Sequence, residues 1–254
     1  MDLNAIKKRL SQLQTTNNRT SSLWKPQPGK TQIRIVPYTF NKDNPFIELF
    51  FHYDIGQRSY LSPMSFGRPD PIEEFATKLK AGGNKDDWKL GKKLEAKMRT
   101  FVPVIVRGQE KEGVKFWGFG KTVYQELLTF IADPDYGDIA DPSHGRDIMV
   151  TFKTAEETGK AFPSTSIMVK PNQTPITEDK EIVELIKNQI EITELYKEMS
   201  YDDLTSVLEE WLNPSDGGEK EEEASAKKAI SETVDVKTET ASSAADAFED
   251  LFNN

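Results

Sequence analysis

The chain has 254 residues, of which 36% are hydrophobic and 10% aromatic, enough for one large or two modest domains with a real core. Its net charge is −9, it has no cysteine, and its only histidines are His52 and His144, which excludes disulfides and Cys/His zinc sites. No apolar run of 18 residues and no basic-then-apolar leader occurs, which predicts a cytoplasmic protein without a membrane span or secretory signal.

The charge is unevenly distributed along the chain. Residues 1–176 contain 26 Lys/Arg against 20 Asp/Glu, whereas residues 177–254 contain seven basic and 22 acidic residues. The most basic stretch is 78–121, with 12 Lys/Arg against five Asp/Glu. This layout predicts a basic body with an acidic end, so the negative total does not argue against a polyanionic partner.

An amino-terminal arm is predicted over residues 1–20. In "MDLNAIKKRLSQL" the apolar residues recur at helical spacing, and Lys7, Lys8 and Arg9 lie beside them. A short isolated helix is marginal in water, and the following "QTTNNRTSS" resembles a linker. A mobile arm for self-association is therefore favoured over a helix docked on the body.

The body, residues 21–213, is predicted to be mainly β with additional helices. Strand patterns occur in "KTQIRIVPY" and "PFIELFFHYDI", and "FVPVIVRG" and "VKFWGFG" form a predicted hairpin. "KTVYQELLTFIADP" changes to helical period and stops at Pro134, and two more strands follow in "RDIMVTFKTAEETGKAFPSTSIMVKP". Several strands with one interrupting helix favour a five-stranded barrel like the OB-fold.

The carboxyl-terminal third has two predicted parts. Apolar residues at helical spacing in 177–212 predict a helical pair packed on the barrel. Residues 214–254 lack periodicity for most of their length and are predicted to be a disordered acidic tail. The tail ends in "FEDLFNN", an apolar motif among acids that is typical of a recognition peptide, although a plain solubilising tail is the alternative. Its partner-binding residues would be Asp246, Phe248, Glu249, Asp250, Leu251 and Phe252.

No catalytic or nucleotide-binding motif is complete, which predicts a protein that is not an enzyme. Rings interleaved with basic residues are frequent instead, and single-stranded nucleic acid is bound by such rings together with cations that contact phosphates. The interleaved sets are Tyr38 near Arg34, Tyr53 and Tyr60 around Arg58, Trp88, Phe101, Trp117 and Phe119. Some of these rings must be core, and Phe46, Phe50 or Phe51, and Phe116 are the predicted core members.

The segment "VKFWGFGK", residues 114–121, illustrates the two alternatives. With a period of two, Lys115, Trp117, Phe119 and Lys121 share one face of a strand. This face is predicted to border a nucleic-acid groove while Phe116 points inward. Under the alternative, the aromatic residues fill the core and the lysines extend past them to water.

Taken in order, these features resemble the phage gene 32 proteins, the single-stranded-DNA-binding proteins of T-even-type phages. The clearest local matches are "IRIVP", "KMRTFVPVIV" and "KFWGFGK". The resemblance implies that Lys7, Lys8, Arg9 and Ser11 mediate cooperative self-association. It also implies DNA contacts at Arg34, Phe101, Trp117, Phe162 and, with a weaker match, Tyr60.

One departure from that family concerns zinc. Its best-known members bind zinc through one His and three Cys, whereas this chain has "YLSPMSFGRPDPIEEFATKL" in that region, so no zinc is expected. Packing is expected to replace the metal around the apolar residues Leu61, Met64, Phe66, Ile72 and Phe75.

The sequence thus predicts a cooperative, sequence-independent single-stranded-DNA-binding protein that coats and protects DNA in phage replication, recombination and repair. It would act in the cytoplasm of the infected bacterial host and recruit phage replication and recombination proteins through its tail. Phosphates would be neutralised by Lys92, Lys93, Lys97, Arg99, Lys115 and Lys121. The alternative is an OB-like protein-interaction scaffold that does not bind nucleic acid.

Overall fold

A computed structural model describes residues 22–56, 58–213 and 239–252 of the chain. The chain divides into two compact units. Unit 1 consists of Met1–Leu49 and Met98–Lys197, and unit 2 consists of Phe50–Lys97 and Glu198–Asn254. This division differs from the single body predicted over 21–213, since two separate segments of chain contribute to each unit.

Eight strands and seven α-helices occur within the described residues. The strands are β1 (Leu23–Trp24), β2 (Gly29–Ile35), β3 (Ile47–Ile55), β4 (Arg58–Leu61), β5 (Lys97–Val106), β6 (Lys115–Phe119), β7 (Arg146–Lys153) and β8 (Ser164–Gln173). The helices are α1 (Pro71–Ala81), α2 (Lys85–Leu94), α3 (Lys121–Ala132), α4 (Ala155–Thr158), α5 (Lys180–Lys187), α6 (Tyr201–Leu212) and α7 (Glu239–Phe252). Short 3-10 turns cover Pro63–Phe66, Glu110–Glu112 and Ile192–Leu195.

The sheet of unit 1 has the strand order β1-β6-β5-β2-β7-β8. β1 and β6 are parallel, and the remaining pairs in this order are antiparallel. The predicted β5–β6 hairpin is confirmed, with Val102 opposite Trp117. Among the described residues, β1 and β8 at the two ends of this order do not pair with each other, so the sheet is open and a closed barrel is not observed.

The main core of unit 1 lies between one face of this sheet and helix α3. Ile33 and Ile35 of β2 point to this face, and Ile148 and Val150 of β7 do the same, because alternate residues of a strand share a face. Helix α3 contributes a stripe that includes Leu127, and the helix ends at Ala132 shortly before the predicted stop. Each fully buried aliphatic side chain contributes about 1.5–3 kcal/mol, so this face fixes the sheet on α3.

A second layer covers part of the opposite face of the sheet. Ile105 of β5 packs with Val36 and with Ile182 of α5. The hydroxyl of Tyr38 accepts a hydrogen bond from the backbone N–H of Ile192 at 3.2 Å, and the Tyr38 ring meets Phe116 of β6 at a centroid distance of 5.9 Å. β5 and β6 are therefore covered on both faces.

Unit 2 is organised around three helices whose starts are encoded locally. Asp70 caps α1 by accepting hydrogen bonds from the N–H groups of Ile72 and Glu73, and a proline occupies the first helical position. Asn84 caps α2 and Ser200 caps α6 in the same manner. These caps satisfy N–H groups that have no partner inside the helix.

The core of unit 2 is an apolar cluster between α1, α2, α6 and α7. Its fully buried members include Ile72 and Phe75 of α1 and Leu204 and Leu208 of α6. Helices α1 and α2 approach closely at Gly91, where a Cβ atom would lie 2.6 Å from the backbone oxygen of Ala76. A side chain at that position would separate the helices, so glycine is required there by contact rather than by backbone conformation.

A buried polar cluster connects the elements of unit 2. The Nδ1 of His52 lies 2.7 Å from the backbone oxygen of Leu94, and its Nε2 lies 2.9 Å from the carboxylate of Asp70. Ser62 donates a hydrogen bond to the same carboxylate. Because His52 is in β3, Asp70 caps α1 and Leu94 ends α2, the cluster ties all three elements together.

The packing expected in place of zinc is observed only in part. Leu61, Ile72 and Phe75 are buried as predicted, whereas Met64 and Phe66 are exposed. The guanidinium of Arg68 lies 5.0 Å from the centre of the Phe66 ring, which places this ring at the surface under a cation.

Two predictions for the carboxyl-terminal third differ from the structure. The predicted helical pair over 177–212 is two helices that belong to different units, α5 in unit 1 and α6 in unit 2. Within the tail predicted to be disordered, Glu239–Phe252 forms α7, because an apolar stripe within this acidic segment packs on unit 2. The predicted arm, residues 1–20, lies outside the described residues.

The coarse fold is therefore mixed α/β with a large open sheet and several helices. Of the helices in the described parts of the chain, none has the length and apolar character needed to cross a membrane.

Candidate nucleic-acid interface

One part of the outer face of the unit 1 sheet is left open. It is the part formed by β2, β7 and β8, on the side opposite the main core. The residues that alternate with the core positions there are Lys30, Gln32, Met149, Thr151, Lys153, Ser164, Ser166, Met168 and Lys170. We call this surface the open face.

The strand register arranges the open face in rows. Lys30 lies opposite Thr151, which lies opposite Ser166. In the next row, Met149 lies between Gln32 and Met168. Directly opposed residues on one face are neighbours, with Cβ atoms about 4.5–5.5 Å apart, so the rows are continuous. Met168 is 55% exposed, which places an apolar group at the surface among lysines and hydroxyls.

Asp147, on the same side of β7 as Met149 and Thr151, is paired with two arginines. Asp147 of β7 accepts two hydrogen bonds from Arg107, at 2.8 and 3.0 Å, and one from Arg34 at 3.2 Å. Burial opposes the ionisation of Asp147, but these bonds, a bond from Gln32 and the two arginine charges outweigh it and hold its pKa below the ordinary value. The cations of the open face itself are Lys30, Lys153 and Lys170.

Arg34, a predicted DNA contact, belongs to this buried network. Its guanidinium is fully buried and donates hydrogen bonds to the side chain of Asp147 and to the backbone oxygens of Asp141 and Thr174. A cation that is removed from water and held by carboxylate and carbonyl partners cannot contact a phosphate in this conformation. The assignment of Arg34 to DNA is therefore corrected to a structural role.

Three predicted stacking rings are core residues. Trp117 is 1% exposed, and Phe101 and Phe119 are also buried. Trp117 meets Trp24 edge-on at a centroid distance of 5.7 Å and Phe119 at 4.6 Å, while Phe101 packs on Tyr196 at 5.7 Å. Rings so enclosed offer no face to a base, so their assignment to DNA stacking is corrected as well.

Gly118 explains how Phe101 is seated. Phe101 lies directly opposite Gly118, and a Cβ atom at Gly118 would lie 2.7 Å from its ring. Around Gly120, by contrast, the space for a Cβ atom is open, with nothing described within 4 Å. The first glycine of "VKFWGFGK" therefore accommodates a ring on the neighbouring strand.

Other predicted contacts of unit 1 remain accessible. Phe162, after α4, is 77% exposed, and Arg99 and Lys121 are also exposed. Arg99 donates a hydrogen bond of 2.6 Å to the backbone oxygen of Gly118. Lys115 is half-buried and pairs with Glu112.

Helix α2 carries the most accessible tryptophan of the described residues. Trp88 is 50% exposed, and Lys85 and Lys92 lie on the same side of the helix at i−3 and i+4. We call this the α2 stripe. The neighbouring Lys89 pairs with Asp86 at 2.7 Å, an exposed ion pair of the kind that contributes little to stability. Lys92 pairs at 2.5 Å with Glu95, which is half-buried and also pairs with Lys80.

Further predicted residues of unit 2 vary in exposure. Lys93, Lys97 and Arg58 are exposed, whereas Tyr53 and Tyr60 are half-buried. The predicted contacts thus divide between the two units, and each unit has its own basic surface. Residues missed by the sequence reasoning are Lys30, Lys153, Met168 and Lys170 of the open face and Lys85 of the α2 stripe. The alternation of each strand could have indicated the open-face residues, but the strand order that brings them onto one surface is not visible in the sequence.

The remaining predicted site residues lie at the chain ends. Lys7, Lys8, Arg9 and Ser11 are outside the described residues, as is the side chain of Asp246. In α7, Phe248 is buried, Leu251 and Phe252 are half-buried, and Glu249 and Asp250 are exposed. The motif predicted to be a free recognition peptide therefore has its apolar side covered.

His52, Asp70 and Ser62 contain the residue types of a hydrolase triad, but their connections differ. Ser62 donates to Asp70 rather than to His52, and all three side chains are buried. The serine hydroxyl therefore has no hydrogen bond to the histidine, which is the bond that activates the nucleophile of a triad. Within the parts of the chain that the structure describes, no group of three or more His, Cys, Asp or Glu side chains is arranged to hold a metal ion.

Comparisons with protein-family models and with curated proteins give no match. The similarity to the gene 32 proteins thus stays a prediction that rests on the local motifs and the charge layout.

Proposed function

We propose that the protein binds single-stranded DNA without sequence preference and without catalysis. The observation that carries this proposal is the α2 stripe, in which a half-exposed tryptophan lies among lysines. A ring that stacks on a base and cations that contact the flanking phosphates are the two components of such binding. The open face supplies a second set of lysines, Lys30, Lys153 and Lys170.

The wider role follows from the motif similarity. The protein would coat DNA cooperatively in phage replication, recombination and repair, inside the infected bacterial host. Residues 1–20 would link neighbouring copies, and the acidic tail would recruit other replication proteins. Unit 1 would be the OB-like part, because its sheet carries the motifs that resemble the gene 32 proteins.

Tryptophan fluorescence tests the proposal directly. The chain has four tryptophans, Trp24, Trp88, Trp117 and Trp211, and only Trp88 is among the exposed large apolar side chains of the described residues. Oligo-dT is expected to quench the emission of the native chain, and Trp88→Phe is expected to remove most of the change. Trp211→Phe is the matched control in the same unit, since Trp211 packs partly into the core and should leave the quench intact. An unaltered quench in Trp88→Phe would contradict the proposal.

A second candidate is an OB-like protein-interaction scaffold. The burial of Phe101, Trp117 and Phe119 favours it, because the aromatic segments most suggestive of stacking are packing residues. This candidate expects no change of emission with oligo-dT in any of these variants.

A further inference from the structure

Helix α7 lies against α1, α2 and α6 of unit 2. Ala244 and Phe248, one turn apart, are buried, and Leu251 and Phe252 on the next turn are half-buried. These positions form one apolar stripe at helical spacing. Helix α7 therefore packs on unit 2 through its apolar side.

The contacts of the stripe are specific in shape and charge. Phe248 meets the ring of Phe75 edge-on, with centroids 6.1 Å apart, and Phe252 meets Tyr201 at 6.4 Å. Asp250, on the exposed side of α7, forms an ion pair with Lys78 of α1. We call the surface that receives α7 the tail site.

The tail site stabilises α7. The chain that precedes α7 is long enough for the helix to reach the tail site of another copy. A helix of 14 residues is marginal in water on its own, so α7 depends on burial of its apolar stripe. The 26 residues between α6 and α7 have a maximal extended length on the order of 90 Å. The covalent connection therefore does not restrict α7 to the tail site of its own chain.

We infer that the tail site also binds the α7 helix of a second copy of this chain, so that copies exchange their carboxyl-terminal helices. A second copy is the occupant because every copy carries both partners of this contact. One partner is the apolar side of α7 with Asp250, and the other is the tail site with Lys78. Exchange of an identical element makes the same contacts between copies as within one, so it needs no new interface.

Concentration decides which form is present. A helix tethered to its own site competes with other copies at an effective concentration that the length of the connecting chain sets. In dilute solution each tail site holds its own α7. Copies side by side on one strand of DNA reach comparable local concentrations, and there the exchange links neighbours; this last step rests on the proposed function.

Peptide binding to the full-length chain tests the site. The probe is a fluorescent peptide of residues 239–254, and the chain carries Phe248→Asp, which places a carboxylate in the apolar contact and frees the tail site. The variant is expected to bind the peptide at least tenfold more tightly than the native chain, whose own α7 competes. Equal binding to both chains, with the variant still folded by circular dichroism, would overturn the inference.

A charge-reversal pair keeps the test decisive if Phe248→Asp unfolds unit 2. The peptide with Asp250→Lys is expected to bind a Lys78→Glu chain more tightly than it binds the native chain, because the ion pair is restored in reverse. The same preference shown by the native peptide would contradict the assigned orientation.

Cross-linking tests the second copy. The chain has no cysteine, so Lys78→Cys in one preparation and Asp250→Cys in another give unique thiols for a short bismaleimide. Mixed at high concentration without DNA, the two variants are expected to form a cross-linked heterodimer that is absent at high dilution. Lys121→Cys replaces Lys78→Cys in the control mixture and should give far less product.

The DNA-free arm separates the two proposals. A heterodimer there supports exchange whether or not DNA is bound. A further rise on long poly-dT, absent on an oligomer that holds one copy, supports exchange along the strand. A Lys78→Cys/Asp250→Cys double variant reports the contact within one chain. If the double variant cross-links within single chains while the mixed single variants give no heterodimer, either when concentrated or on poly-dT, the second copy is the wrong occupant.

Discussion

Strand β6 of unit 1 and helix α2 of unit 2 both place aromatic rings among lysines, yet only the helix exposes its ring. Trp117 lies in a strand that is covered on both faces, whereas Trp88 projects from the outer side of a helix whose inner side packs on α1. Similar local sequences therefore give a buried ring in one region and an exposed ring in the other. The exposure of the ring depends on whether other elements cover both sides of its own element, which the local sequence does not show.

The largest expected difference concerns stability. Trp117→Ala should lower the free energy of unfolding by about 3–5 kcal/mol, because it empties a packed site, whereas Trp88→Ala should change it by about 0.5 kcal/mol or less. Urea denaturation followed by circular dichroism measures both. Similar losses in the two variants would remove the distinction between a core ring and a surface ring.

The cluster that holds α2 in place should be the next most sensitive. Asp70→Asn breaks the buried pair with His52 and is expected to cost about 3 kcal/mol of unfolding free energy. Burial disfavours the Asp70 carboxylate, but its bond to His52, the His52 charge and the bonds from Ser62 and Glu73 lower its pKa below the ordinary 3.8.

The sign of the pH dependence follows from that lowered pKa. The carboxylate contributes stability above pH 3.8, and this contribution is lost as the pH falls through the lower folded-state pKa. Urea midpoints measured from pH 6 down to pH 2 should show this acid loss in the native chain and less of it in Asp70→Asn. Parallel curves for the two proteins would contradict the assignment.

Two glycines of one segment should differ as well. Gly118→Ala is expected to destabilise the chain by about 1–3 kcal/mol, because its methyl group meets the Phe101 ring. Gly120→Ala should cost clearly less, since the space there is open. Thermal melts of the pair compare them directly, and a larger loss at Gly120 would show that Phe101 is not seated as described.

For binding, the α2 stripe should matter more than any single exposed ring elsewhere. Trp88→Ala is expected to weaken oligo-dT binding by about 1–3 kcal/mol, the value of one stacked base. Phe162→Ala is the matched comparison, because that ring is also exposed but lies outside the stripe. Fluorescence anisotropy measures the affinity of both variants for oligo-dT. An unchanged affinity in Trp88→Ala would show that α2 is not part of the binding surface.

The smallest effects are expected on the open face. Each of Lys30→Gln, Lys153→Gln and Lys170→Gln should reduce the slope of log affinity against log salt by about 0.7, the contribution of one phosphate contact on a single strand. Lys187→Gln serves as control, because Lys187 lies in α5 and pairs with Glu184 at 2.8 Å. Slopes that match the control would exclude the open face from the interface.

The sequence predicted those parts of the fold that depend on neighbouring residues. The β5–β6 hairpin and helix α3 follow from periodicity, and the core positions Phe46, Phe51 and Phe116 are buried as expected. The division into two units was not predictable from pattern alone, because it depends on contacts between segments far apart in the chain. Helix α7 was missed for the same reason, since its stripe is stable only against α1, α2 and α6.

The site was predictable in composition but not in position. The alternation of β2 correctly places Arg34 on the face opposite Ile33 and Ile35. Its partners Asp147 and Thr174 are more than 100 residues away in the chain, so its burial could not be foreseen. Lys30 and Lys170, by contrast, were not predicted as contacts. They become candidates only because the strand order places them on one face of the sheet.

The salt dependence of binding to labelled oligo-dT tests the central claim most directly. For the native chain, affinity should fall steeply as salt rises, with a log–log slope of about −0.7 for each phosphate contacted. Affinity that is undetectable at low salt, or that does not change with salt, would contradict the proposal that this protein binds single-stranded DNA.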